Sequence, residues 1–473
     1  YFCGSPFMRA IQSGVFYPLS LILAAVPFPL GFNLYVVVHF VLGFCFFYLF
    51  ITSLGLSRKA ALLTSVSYCY GSYTIATLNT FNNLTTAIWL PAILWAFTRA
   101  SKRGQTSDYV LTIIFLVMAI LGGEPQLFIL SVGILFLYAL TSIPVSSETR
   151  NIGLKYGGYV TLLITAAGLI TMIQLGPTYL DYQHSVRSGG LTYEDASKFS
   201  LSLSMLKHLF LPIHFHEGFT SGTTAPTNLF PGDGKVPWLL TVYPGMIIAP
   251  LAFMGTIFSF SKKNVIWIVI FLVTITLALG RYTPIHYLFY KVFPFFRFPE
   301  KFMFPAGFSM LVMAAYGVDR LLLFLKQHSG KTVLLFSLLT LTLILDLYTN
   351  HHYLNPLCKA PFYQYHHPDL KPVMDDPGMF RIYTNESPYP SSVQHSFRNK
   401  HIAWQVSLLP DLGLLFDLDQ VSGVSALELI HQHQITSILS KSWDQKIDFL
   451  RLANVKYIIS QEKLDQNPDL EVK

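Results

Sequence analysis

Long apolar runs separated by short polar joints carry the chain to about residue 349, after which apolar positions come in short, alternating segments. Runs of roughly 15 to 24 residues, near the length that crosses bilayer hydrocarbon, cover 33–54, 59–78, 83–100, 108–122, 126–146, 156–177, 237–259, 264–280, 302–325 and 331–349. None holds a sustained charge run, so the pattern predicts a mainly α fold, a polytopic transmembrane helical bundle of about ten spans within 1–349. Residues 15–32 are apolar but interrupted by Pro18, Pro27 and Pro29, which suits an interfacial or re-entrant helix better than a straight span. The remainder, 350–473, reads as a small α/β domain, with strands at 380–384 and 455–459 and helices at 425–433 and 443–453.

Composition sharpens this picture. The chain is 52% hydrophobic and only 12% charged, far more apolar than a soluble domain. Its net charge of +7 reports orientation in a membrane rather than a nucleic-acid partner. Arg58 and Lys59, Arg99, Lys102 and Arg103, Arg150 and Lys155, Lys262 and Lys263, and Lys326 and Lys331 fall on alternate joints, which are therefore expected to be cytoplasmic. The complementary joints, and the domain after 349, are expected outside the cytoplasmic membrane. The four cysteines are scattered and specify neither disulfides nor zinc. The chain starts at Tyr1 in what reads as an extramembrane loop, so a first span is expected upstream.

Three joints carry candidate chemistry. Residues 280–302, GRYTPIHYLFYKVFPFFRFPEKF, set Arg281, Lys291, Arg297 and Lys301 among aromatics and prolines. This basic, aromatic shelf lies on the side where few cations are expected, which favours a phosphate site over a lipid anchor. The long joint 178–236 opens with Asp181, His184 and Arg187, and it holds His214, His216 and Glu217, a weak metal pattern without a third ligand spacing. GGEPQ at 122–126 offers Glu124 and Gln126 at the same face. Glu124 reads as a general base, a hydroxyl acceptor or a helix cap. Asn79, Asn82 and Asn83 bind hydroxyls or form their turn, and the paired histidines 351/352, 366/367 and 431/433 read as surface residues.

The stretches SPFMRAIQSGVFYPLSLI, LGLSRKAALLTSVSYCYGSY, GGEPQ, ALGRYTPIHYLFYKVFPFFRFPEKFMF with AAYGVDRLL, and LRLANVKYII resemble, in order and spacing, the YfhO-like bacterial membrane proteins. The resemblance implies a GT-C type glycosyltransferase, taking sugar from a polyprenyl-phosphate donor to a cell-envelope glycan or lipid acceptor outside the cytoplasmic membrane. Within that activity, charge placement puts the donor phosphate on Arg281, Arg297 and Lys301, whose guanidinium forks and ammonium suit phosphate oxygens, and the acceptor or sugar near Asp181, Arg187 and Gln126. No cofactor is implied, with a divalent metal left open. GT-C enzymes use an acidic base in their first external loop. Apart from Glu124, the earlier acid is Asp108, at a cytoplasmic span end, so the base is expected upstream of Tyr1. GGEPQ also departs from a GHPQ-like form, leaving Glu124 a weak candidate. A lipid-linked saccharide flippase and a non-catalytic envelope assembly protein are the competing readings.

Overall fold

A computed structural model describes residues 2–78, 80–141, 149–212, 238–259, 261–324, 329–355, 357, 359–363, 365, 367–385, 407–409, 411–425, 427–460 and 464. Among the described residues the fold is mainly helical with one small sheet. Three helices among the described residues, Leu30–Ser53, Pro299–Phe324 and Val333–His351, are long and apolar enough to cross a membrane, and Gly157–Ile170 with Met172–Gln183 form a pair bent by 79°. Thr106–Leu121, Pro125–Thr141, Ile248–Phe258 and Lys263–Ala278 are apolar but shorter.

Several predicted runs are interrupted, each for a local reason. Run 59–78 breaks at Gly71, which is extended at φ −111, ψ 164 between helices Arg58–Tyr70 and Ser72–Ala76. Run 83–100 divides at Ile88. Pro91 follows, and it has no N–H for the carbonyl four residues back. The Tyr68 hydroxyl donates to that carbonyl, Ala87 O, at 2.9 Å, which satisfies it inside an apolar bundle. Run 237–259 is helical only over Ile248–Phe258.

Met303–Phe324 is the central helix. Every residue from Met303 to Val318 is buried, against the Ile248–Phe258, Lys262–Ala278 and Arg58–Tyr70 helices. Two glycines permit the closest approach: a Cβ on Gly317 would stand 1.9 Å from the Leu251 carbonyl oxygen, and one on Gly255 would stand 2.0 Å from that of Met313. Small residues that let backbones touch are how helices associate where lipid removes the hydrophobic drive. Outside this core, Leu334, Leu338, Leu341 and Leu345 are each more than half exposed on the Ser329–His351 helix. A stripe of that kind is a liability in water and ordinary against acyl chains.

Among the described residues the C-terminal part holds a three-stranded parallel sheet of order β2-β1-β3, with β1 Arg381–Asn385, β2 Asp419–Gln420 and β3 Val455–Ser460. Helices Ile430–Leu439 and Trp443–Leu452 pack beside it. The first of these starts five residues later than 425, because Leu429 is extended at φ −78, ψ 154. There it makes an antiparallel bridge to Ser185. His351 is a correction: it is buried at the end of its helix, its Nδ1 2.7 Å from Tyr70 O and its Nε2 3.3 Å from Thr241 Oγ1. His431 and His433 are exposed, and His366 lies outside the described residues.

Candidate functional site

The GGEPQ turn is built by its glycines and proline. Gly123 has φ +95, and a Cβ there would lie 2.9 Å from Ile11 O, so the N-terminal segment rests directly on this turn. Pro125 then opens the Pro125–Thr141 helix, where its missing N–H costs nothing. Glu124 caps that helix: its N–H donates to Thr86 Oγ1 at 3.1 Å, and its Oε1 accepts the Gln126 N–H at 3.4 Å. The same carboxylate also does more than cap. Lys301 Nζ donates to Oε1 at 2.9 Å and Asn82 Nδ2 to Oε2 at 3.1 Å. Both members of the ion pair are buried, with side chains 4% and 6% exposed for Glu124 and Lys301.

The shelf brings Lys301 to this point through a strained corner. Phe298 sits at φ +63, ψ 80 immediately before Pro299, a left-handed conformation that a bulky residue keeps only when its surroundings enforce it. They do so here. The Phe298 ring meets Phe199 edge-on at 4.9 Å and Trp238 at 6.3 Å. Its face carries Arg297 at 4.5 Å and Lys301 at 5.7 Å. The long joint is laced to the shelf by backbone bonds: Glu300 N to Phe199 O at 3.2 Å, Leu201 N to Ala278 O at 2.9 Å and Leu191 N to Pro294 O at 3.2 Å.

This lacing brings Arg187 and Arg297 into the field of Glu124. Both arginines are half-buried, and among the described residues neither guanidinium has a hydrogen-bond or ion-pair partner. Burial, and then the neighbouring Arg187 charge, hold Arg297 down to about 10, so it stays cationic at neutral pH, while Glu124 acts in the opposite sense. Burial likewise lowers Arg187, opposed by Glu124 and Glu428. Three cations therefore share one carboxylate, and the surplus positive charge is partly withdrawn from water. That costs free energy unless an anion supplies the missing partner.

The remaining sequence candidates separate. Arg281 is held at another point on the joint, its N–H donating to Ser200 Oγ at 3.0 Å and its guanidinium to Ser197 O at 3.4 Å. Asp181 pairs with Arg9 at 3.3 Å. Gln126 joins the cluster: its Nε2 donates to Phe295 O at 3.2 Å, and its Oε1 is buried without a partner among the described residues. Asn83 forms the turn core, bonded to the Tyr73 hydroxyl at 3.2 Å. Asn79 and the 214–217 histidine set lie outside the described residues. Among the described residues no group of three His, Cys, Asp or Glu side chains could hold a metal. Asn82 and Trp238, which complete the surroundings of the ion pair, were missed as a unit because nothing local links them.

His286, in the short shelf helix Pro284–Val292, is buried among Tyr193, Phe289 and Phe302, and its Nδ1 has no partner among the described residues. Burial lowers its pKa to about 4. The unfolded chain would titrate near 6.5, so below that pH the unfolded state binds the extra proton and stability falls toward pH 4. Thermal unfolding in detergent is expected to show a Tm that drops from about pH 6.5 to about 4.5. The drop should be smaller in His286→Phe, and an equal drop would assign the acid sensitivity to other groups.

No protein-family model matches this chain, and no curated protein matches its sequence.

Proposed function

We propose that the chain is a YfhO-like, GT-C type membrane glycosyltransferase, with about ten membrane passes, that moves a sugar from a polyprenyl-phosphate donor to an acceptor outside a bacterial cytoplasmic membrane. One observation carries the reading: Arg187 and Arg297 are half-buried, without a hydrogen-bond or ion-pair partner among the described residues, and within electrostatic reach of the buried Glu124–Lys301 pair. Guanidinium forks match phosphate oxygens two at a time, and an ammonium adds a point charge. Transfer of the sugar leaves its charge on the departing lipid phosphate. Cations already fixed where that charge grows stabilise the transition state with little reorganisation.

Within this reading Glu124 orients Lys301 and is not the proton acceptor, since its oxygens are occupied by Lys301, Asn82 and Gln126 N–H. The buried Gln126 Oε1, unpartnered among the described residues, supplies an acceptor for a sugar hydroxyl. Arg281, held at Ser197 and Ser200, is left out of the phosphate set.

The test is Arg297→Ala in purified protein given a lipid-phosphate sugar. Transfer is expected to fall by more than about tenfold, the loss of one charged hydrogen-bonding group, with normal folding. Unchanged transfer in well-folded protein would remove Arg297 from the mechanism. Wild-type protein that moves the lipid-linked sugar between leaflets without transferring it would favour transport instead.

A further inference from the structure

The C-terminal domain reaches the cation cluster through an isolated antiparallel bridge. Val186 N–H donates to Glu428 O at 3.1 Å, and Ile430 N–H donates to His184 O at 2.9 Å, on either side of the Ser185 to Leu429 bridge. Ser185 and Leu429 are both buried. The next residue after this clasp is Arg187, whose N–H donates to Ser185 Oγ at 3.2 Å. Gln432 secures the other side. Its Oε1 accepts the Leu429 N–H at 3.0 Å and its Nε2 donates to Ser5 Oγ at 3.3 Å. Glu428 turns its carboxylate to Thr436 and His433 of the helix that follows it, each at 3.4 Å, yet its charge still acts on the Arg187 guanidinium.

We infer that the C-terminal domain positions Arg187: the 428–430 segment clasps 184–186, so docking of this domain and binding of a phosphate at Arg187 form one linked equilibrium. This rests on the phosphate reading of the cluster. The physical reason is preorganisation. A guanidinium on a long loop must be ordered before it can bind, and a clasp made in advance removes that cost from the binding step. By linkage, a bound phosphate must strengthen the clasp by the same factor that the clasp strengthens phosphate binding. Glu428 acts in the opposite sense, since its negative charge near Arg187 weakens the attraction for a second anion.

The sequence offers a clean way to open the clasp. Ile430 is the first residue of its helix, where proline is well tolerated. Leu429 already has the extended backbone that a residue before proline prefers. Ile430→Pro therefore removes the N–H that bonds His184 O and leaves the helix able to form, and the Ile430 side chain is largely exposed. The experiment measures binding of a short-chain polyprenyl monophosphate to the full chain in nanodiscs, with amide exchange at Val186 read in parallel. We expect about tenfold weaker binding in Ile430→Pro, a typical coupling. Exchange at Val186 should be faster and protection in 431–439 retained. Glu428→Gln is expected to bind about threefold tighter, the size of one screened charge. A purely structural Glu428 would not raise affinity.

Equal binding by wild type and Ile430→Pro, with Val186 exposed in the variant, overturns the clasp and leaves the phosphate site standing. No binding by wild type overturns both.

Discussion

Glu124→Ala is expected to cost about 3–5 kcal/mol of stability, the penalty for leaving a buried charge without its partner. Lys301 is 6% exposed at its side chain, and its ammonium sits 2.9 Å from Glu124 Oε1, so removing the carboxylate strands a cation in the protein interior. Asn82 Nδ2 loses its acceptor at the same time. Thermal or denaturant unfolding in detergent reads the loss. The decisive companion is the double variant Glu124→Gln with Lys301→Met, which removes both charges. The amide still serves Asn82, and the thioether suits the Trp238 and Phe298 rings that Lys301 now faces. We expect it to recover most of the lost stability while phosphate binding stays weak. That separation would show that the pair is kept for its charge and not for its contribution to folding. A single Glu124→Ala variant as stable as wild type would mean that Lys301 reaches water, and the account of a dry, preorganised cation would fail.

The second large effect is steric. Gly317→Val is expected to prevent the Met303–Phe324 and Ile248–Phe258 helices from closing, because the new Cβ would start 1.9 Å from a backbone oxygen that no rotamer change can move. Overpacking usually costs about 1–3 kcal/mol, and more where backbone must shift; here it must shift, and we expect loss of monodisperse protein on size exclusion and rapid proteolysis. Gly133 is the control. It lies on the Pro125–Thr141 helix, and a Cβ added there would meet nothing within 4 Å, so Gly133→Ala should be neutral or gain up to about 1 kcal/mol from helix propensity. Normal behaviour of Gly317→Val would contradict the close crossing.

These two cases differ in how visible they were beforehand. The apolar runs and the small residues within them were plain in the chain, and each run contains helix, though not over its whole length. The interruptions were not: Gly71 and Ile88 divide runs that composition alone reads as continuous. Whether an apolar segment is one long helix or two short ones depends on what satisfies the freed backbone groups, and at Ala87 that is a hydroxyl from another helix. In the C-terminal domain the strands at 381–385 and 455–460 were legible from their alternation. The start of the 430–439 helix was displaced by pairing with residues far back in the chain.

The candidate site divides in the same way. That the shelf is basic and aromatic followed from the order of residues, as did the presence of Glu124 in a tight turn. Which of those cations share a carboxylate did not. Arg281 and Arg297 looked equivalent on one shelf, yet one is held by Ser197 and Ser200 and the other lies in the field of Glu124. Asp181 and Arg187 looked like neighbours on one loop, yet Asp181 pairs with Arg9. By itself the sequence determined a mainly helical chain with apolar helices long enough to cross a membrane and a small sheet toward its end, because hydropathy and periodicity are local properties of consecutive residues. The tertiary structure alone decided that Lys301 meets a carboxylate 177 positions away, because such a pair depends on how the helices between them pack.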